Sequence, residues 1–97
     1  MGRVQDRVVI VTGGAGGIGR AACRAIAHEG GKVVVADLDE AAARSVADEI
    51  AAAGGVASSV RVDVTDRADV QAMVTAAVET FGELNVIFNN AVMNRPL

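Results

Sequence analysis

The chain has 97 residues, 52% of them apolar, and a formal net charge of −3 with acidic and basic residues interspersed. That length fits one domain at most with a modest core, and the mildly acidic balance argues against a nucleic-acid or membrane surface as partner. Two phenylalanines make a poor base-stacking platform, and the single cysteine, Cys23, excludes an internal disulfide and fits a reducing, cytoplasmic compartment.

The apolar run Val8–Thr12 reads as a buried strand. It is too short for a signal-peptide core, and nothing in the chain approaches a membrane span. The glycine-rich segment Thr12-Gly13-Gly14-Ala15-Gly16-Gly17-Ile18-Gly19 follows and leads into a helix over residues 17 to about 29. Its apolar face is expected to carry Ile18, Ala22, Ala25 and Ile26, with Arg20, Arg24 and His28 opposite. Gly30-Gly31 ends it. A second strand, Lys32–Asp37, is apolar at each of its middle positions, as a strand covered on both faces should be. Asp39 can cap the next helix, whose inner face would hold Ala42, Val46, Ile50 and Ala53 before Gly54-Gly55 stops it. Over residues 57–64 the pattern alternates, Val60, Val62 and Val64 against Arg61 and Asp63, which predicts a strand with one wet face at a sheet edge.

Thr65 or Asp66 caps a third helix, with Val70, Val74, Ala77, Val78 and Phe81 at helical spacing and Gly82 as the stop. Met73 falls within this apolar pattern and is expected in the core. Residues 84–89 form a fourth strand, and residues 90–97 read as loop with the only proline, Pro96. Strands separated by helices of this length pair in parallel through right-handed crossovers. The predicted fold is therefore α/β, a Rossmann-like doubly wound parallel sheet, partial, with four strands in order 3-2-1-4 and three helices. Residues 1–97 form a single partial dinucleotide-binding domain. Such sheets bind ligands at the switch point, here between strands 1 and 4.

A strand that ends in glycines and turns into a helix makes an anion site, since the helix N-terminus offers unpaired N–H groups and the positive end of its dipole. The natural occupant is a dinucleotide pyrophosphate. A phosphate loop of the G-x-x-x-x-G-K-[ST] kind is excluded because Arg20 follows Gly19. Asp37 ends the second strand, where a carboxylate can accept both hydroxyl hydrogens of an adenosine ribose. Asp63, at the end of the third, can meet an adenine amino group. The competing reading for both is a helix cap or a solvated turn. Asp39, Asp66 and Asp69 are assigned to capping. His28 has no evident orienting partner, Cys23 packs as a small hydrophobe, Arg20 and Arg24 form a solvated face, and no cluster has metal-site spacing. A valine at Gly19 is expected to cost dinucleotide affinity more than folding.

Thr12-Gly13-x-x-x-Gly17-x-Gly19, Asp63-Val64 and Asn89-Asn90-Ala91, in this order and spacing, resemble the short-chain dehydrogenase/reductase family. The resemblance covers the whole chain but only the first part of the family's domain. It implies that Thr12, Gly13, Gly17, Ile18 and Gly19 surround the pyrophosphate. Asp37 would hold the ribose of NAD, in preference to NADP, with Asp63 and Val64 at the adenine. Asn90 and Ala91 would lie along the cofactor side of the last strand. Val92 stands where the family has glycine. The family's Tyr-x-x-x-Lys has no counterpart, because the 97 residues contain no tyrosine.

The expected role is the NAD(H)-binding part of an oxidoreductase that moves hydride between nicotinamide and an alcohol or ketone, with this chain alone inactive. The alternatives are a standalone or split nucleotide-binding module, or a truncated product without function. Either self-association or a complementing polypeptide is expected along the fourth strand.

Overall fold

The computed structural model describes residues 5–90. Seven elements alternate: β1 (Val8–Thr12), α1 (Gly17–His28), β2 (Lys32–Asp37), α2 (Glu40–Ala52), β3 (Val56–Arg61), α3 (Arg67–Phe81) and β4 (Val86–Asn89). The four strands form one parallel sheet in the order β3-β2-β1-β4. Val9 stands opposite Val33 on one side and Val86 on the other.

Alternate strand residues point to opposite faces, and each face has its own core. Val9, Val11, Val33 and Val35 pack against Cys23 of α1 and Ala43, Val46, Ala47 and Ile50 of α2. Val8, Ile10, Val34 and Ala36 pack against Met73 and Ala77 of α3, with Val62 closing the end. β1 and the middle of β2 are buried throughout, which explains their unbroken apolar runs.

The helix ends follow the sequence. Asp39 caps α2 by accepting from the Ala42 N–H at 3.1 Å. Asp66 caps α3 by accepting from Ala68 and Asp69, and Gly82 closes that helix in the left-handed region at φ 84°. Among the described residues no helix is long and apolar enough to cross a membrane.

Several expectations need correction. The buried side of α1 carries Gly19 and Cys23, with Ile26 and Ala27 half-buried, while Ile18 is 75% exposed and Ala25 is also outside. The helix approaches the sheet on its glycine, which turns Ile18 outward. In α2, Ala43 and Ala47 fill the inner face and Ala53 is an exposed cap. β3 ends at Arg61 as a strand, although Val62 N–H still donates to Asp37 C=O at 3.0 Å and Val62 is buried. β4 begins at Val86 instead of residue 84. Asp69 does not cap α3: its Oδ2 accepts from the Asp63 N–H at 3.0 Å and from Arg61 Nη1 at 3.3 Å, tying the β3–α3 loop.

Candidate functional site

The candidate site lies where the C-terminal ends of β1, β2 and β4 meet the start of α1. Gly13 has φ 67°, a left-handed turn that glycine makes without steric cost, and it reverses the chain as it leaves β1. The loop then rests on β2: Gly14 N–H donates to Ala36 C=O at 3.0 Å, and Ala15 N–H donates to Asp37 Oδ2 at 3.0 Å. Gly16 is the N-cap of α1, with no side-chain cap and no acidic residue in the first turn. Among the described residues nothing accepts from the N–H groups of Gly17, Ile18 and Gly19. They are the unpaired donors of a helix start and suit an anion.

The glycines divide by role. A Cβ at Gly19 would stand 2.0 Å from Gly13 O and 2.9 Å from Asn90 Nδ2, so this position sets the closeness of α1 to β1. A Cβ at Gly17 would meet nothing within 4 Å among the described residues, so the position has room that Gly19 lacks. Gly14 was not singled out by the sequence reading. It is buried, and a Cβ would lie 2.9 Å from Val35 Cγ1. Cys23, fully buried below it, donates through Sγ to Gly14 O at 3.9 Å, and burial pushes its thiol pKa up to about 12.

Thr12 is buried, and its hydroxyl is engaged twice: it donates to Asn89 Oδ1 at 2.9 Å and accepts from Asn90 N–H at 3.0 Å. Asn90 Nδ2 donates to Gly13 O at 3.4 Å. The two asparagines thus fasten the end of β4 to the glycine loop. Ala91, expected beside them, and Val92 lie outside the described residues.

Asp37 is half-buried at the end of β2, with Oδ1 accepting from Asp39 N–H at 3.0 Å as well as Oδ2 from Ala15. A carboxylate has further lone-pair capacity for ribose hydroxyls. Asp63 sits just past β3. Its Oδ1 accepts from Thr65 N–H at 2.9 Å and from the Thr65 hydroxyl at 2.6 Å. Those bonds hold its carboxyl below the usual aspartate range, with Arg61 adding a smaller pull in the same direction. Val64 is half-buried against the α3-side core. Leu38 follows Asp37 and is 60% exposed.

Arg20 points away from this chemistry. Its guanidinium pairs with Glu49 of α2, with Nε 3.3 Å from Oε1 and Nη2 on Oε2. The groove beside that pair, lined by Arg24, Ala27, His28 and Ile50, shares no residue with the glycine loop. Among the described residues no three His, Cys, Asp or Glu side chains are grouped to hold a metal ion.

A family model described as short chain dehydrogenase matches residues 7–97. The 2,5-dichloro-2,5-cyclohexadiene-1,4-diol dehydrogenase LinX of Sphingobium indicum is 46% identical over 94 residues, which cover 97% of this chain and 38% of that protein. An L-rhamnose 1-dehydrogenase (NAD(P)(+)) of Azotobacter vinelandii is 48% identical over 90 residues, covering 89% of this chain and 35% of that one. Among solved structures, a short chain dehydrogenase from Mycobacterium avium superposes with a TM-score of 0.91 at 48% identity, over 98% of this chain and 36% of the other. A hydroxysteroid dehydrogenase from Escherichia coli gives 0.90 at 34% identity, over 94% and 39%. The chain therefore spans less than two fifths of the length of these relatives.

Proposed function

The chain belongs to the short-chain dehydrogenase family, and from that premise we propose that residues 5–90 hold a nicotinamide dinucleotide at the switch point between β1 and β4, with NAD preferred over NADP. The observation that carries the reading is the pairing of an uncapped helix start with a strand-end carboxylate. Among the described residues the N–H groups of Gly17, Ile18 and Gly19 meet no acceptor, and Asp37 stands at the neighbouring strand end, one hydrogen bond from the same loop. In this reading the three N–H groups bind the pyrophosphate, Asp37 accepts from the ribose hydroxyls, and Asp63 with Val64 borders the adenine. Thr12 acts through Asn89 and Asn90, keeping β4 against the loop. Ala91 is assigned to the same cofactor edge by resemblance alone.

The nicotinamide supplies hydride transfer when bound, to or from an alcohol or ketone carbon in the complete reaction. These 97 residues contain no tyrosine. We assign them cofactor binding without turnover, the proton donor being supplied by further polypeptide, in the same chain or another. The single reduced cysteine fits a cytoplasmic setting.

Titration of NAD and NADP into the purified chain tests the reading. A 2′-phosphate would forfeit charge-assisted bonds to Asp37, worth about 1.5–3 kcal/mol each, and bring like charges together. NAD should therefore bind at least about tenfold tighter. Equal affinity or an NADP preference overturns the assignment of Asp37; no binding of either overturns the proposal.

A further inference from the structure

Two backbone donors of the glycine loop end on β2, and they differ in kind. Gly14 N–H reaches the main-chain oxygen of Ala36 at 3.0 Å, a bond that any residue at position 36 supplies. Ala15 N–H reaches Asp37 Oδ2 at 3.0 Å, a bond that exists only because residue 37 carries an acceptor of this length. The second carboxylate oxygen accepts from Asp39 N–H at 3.0 Å, and Asp39 in turn caps α2. The carboxylate is thereby fixed in rotation and bridges the loop before α1 to the start of α2.

Resting on the reading that this loop binds a pyrophosphate, we propose that Asp37 is a positioning residue for the glycine loop. Anion binding at the start of α1 then depends on Asp37 through Ala15, separately from any contact with ribose. Ala15 lies two residues before the first of the three N–H groups that meet no acceptor among the described residues, so its anchoring sets where they converge.

Positioning and simple electrostatics make opposite forecasts. A carboxylate near an anion repels it, so removing the charge alone strengthens anion binding. Removing the anchor frees Ala15 N–H, loosens the loop and weakens anion binding. A probe that reaches the loop but has no ribose separates the two, and inorganic pyrophosphate is such a probe.

The full chain, Asp37→Ala and Asp37→Asn are titrated with inorganic pyrophosphate, and amide exchange of Ala15 and Gly14 is followed by NMR. In Asp37→Ala, Ala15 exchange rises about tenfold and pyrophosphate affinity falls by about the same factor, while Gly14 exchange is unchanged. Asp37→Asn keeps one amide oxygen, which can accept from Ala15 while the Asp39 N–H loses its partner, so Ala15 exchange stays near that of the parent and pyrophosphate, relieved of the charge, binds at least as tightly as to the parent. Equal or tighter pyrophosphate binding by Asp37→Ala overturns the proposal, as does Ala15 exchange that is the same in all three proteins. If the parent chain takes up no pyrophosphate, the functional reading fails, and the Ala15 exchange rates alone decide the anchoring role.

Discussion

A side-chain carbon at Gly19 would stand 2.0 Å from the carbonyl oxygen of Gly13. Neither atom is free to move, since one sits on the first turn of α1 and the other on the turn that leaves β1. The contact makes Gly19 a folding position as well as a binding one, so the expectation that a valine there costs affinity more than folding meets a backbone clash that loads the fold too.

Gly19→Val should destabilise the chain by about 3 kcal/mol or more, because relief requires pushing α1 off the sheet. Gly17→Val is the contrasting variant. Among the described residues nothing lies within 4 Å of its added Cβ, so stability should change by less than about 1 kcal/mol, chiefly the helix propensity difference. Its loss should appear in NAD affinity, by at least about tenfold. Urea unfolding and NAD titration on both variants check this. A stable Gly19→Val, or normal NAD binding by Gly17→Val, contradicts it.

The unbroken apolar runs of β1 and β2 and the helical spacing of apolar residues between the strands made most of this fold legible. β1 and β2 were readable because both faces are covered, and the caps at Asp39 and Asp66 because the side chain meets N–H groups two or three residues on. The face of α1 was not. Pattern reading counts apolar side chains, whereas α1 is seated by the absence of one at Gly19, and Ile18 turns outward as a result. Asp69 was misread because an acid in the first turn of a helix looks like a cap, and nothing local shows that it reaches back to Asp63. The second partner of Asp37 was equally hidden, since Ala15 is 22 residues away and comes near only when the sheet forms.

Asp63 offers a titration test. Its carboxyl is held below the ordinary aspartate range mainly by the Thr65 hydroxyl and N–H. The deprotonated form is therefore favoured by folding, and that contribution is present above the unfolded aspartate pKa of about 3.9 and fades as pH falls through the lower folded value. Thr65→Val removes the hydroxyl bond and should move the Asp63 midpoint upward in an NMR carboxyl titration. An unmoved midpoint would show that Thr65 does not hold the charge.

Cys23 should be silent toward thiol reagents in the folded chain. Burial raises its pKa to about 12, so it stays a neutral thiol at pH 7 to 9, and its Sγ lies against Gly14 O with no exposed surface. The unfolded chain ionises near pH 8.5, so this group's contribution to stability is complete below about pH 8.5 and is lost as pH rises toward 12. Labelling with a chromogenic disulfide should be slow without urea and rapid with it. Prompt stoichiometric labelling of the native chain would be incompatible with this environment.

The outer edge of β4 should associate. Val86, Ile87 and Phe88 are 43%, 45% and 40% exposed, and among the described residues no strand pairs beyond them. Open N–H and C=O groups beside apolar side chains invite another strand. Sedimentation should show concentration-dependent self-association, and Ile87→Lys should weaken it about tenfold, for one apolar side chain replaced by a charge. A monomer throughout the accessible concentration range would count against it.

β1 precedes the other three described strands in the chain, yet it occupies the interior of the sheet, between β2 and β4. Its pairing with β2 closes a short loop, while the Thr12 hydroxyl must wait for Asn89, 77 residues later in the chain. Loop-closure entropy grows slowly with length, but parallel strands brought together over such a separation form late and slowly. During synthesis, β1, β2, β3 and their helices can come together before β4 has left the ribosome. The glycine loop would exist at that stage without the asparagine fastening on its far side. The order of emergence thus places the fastening of the site after the pairing of β1 with β2, timed by the arrival of Asn89 and Asn90.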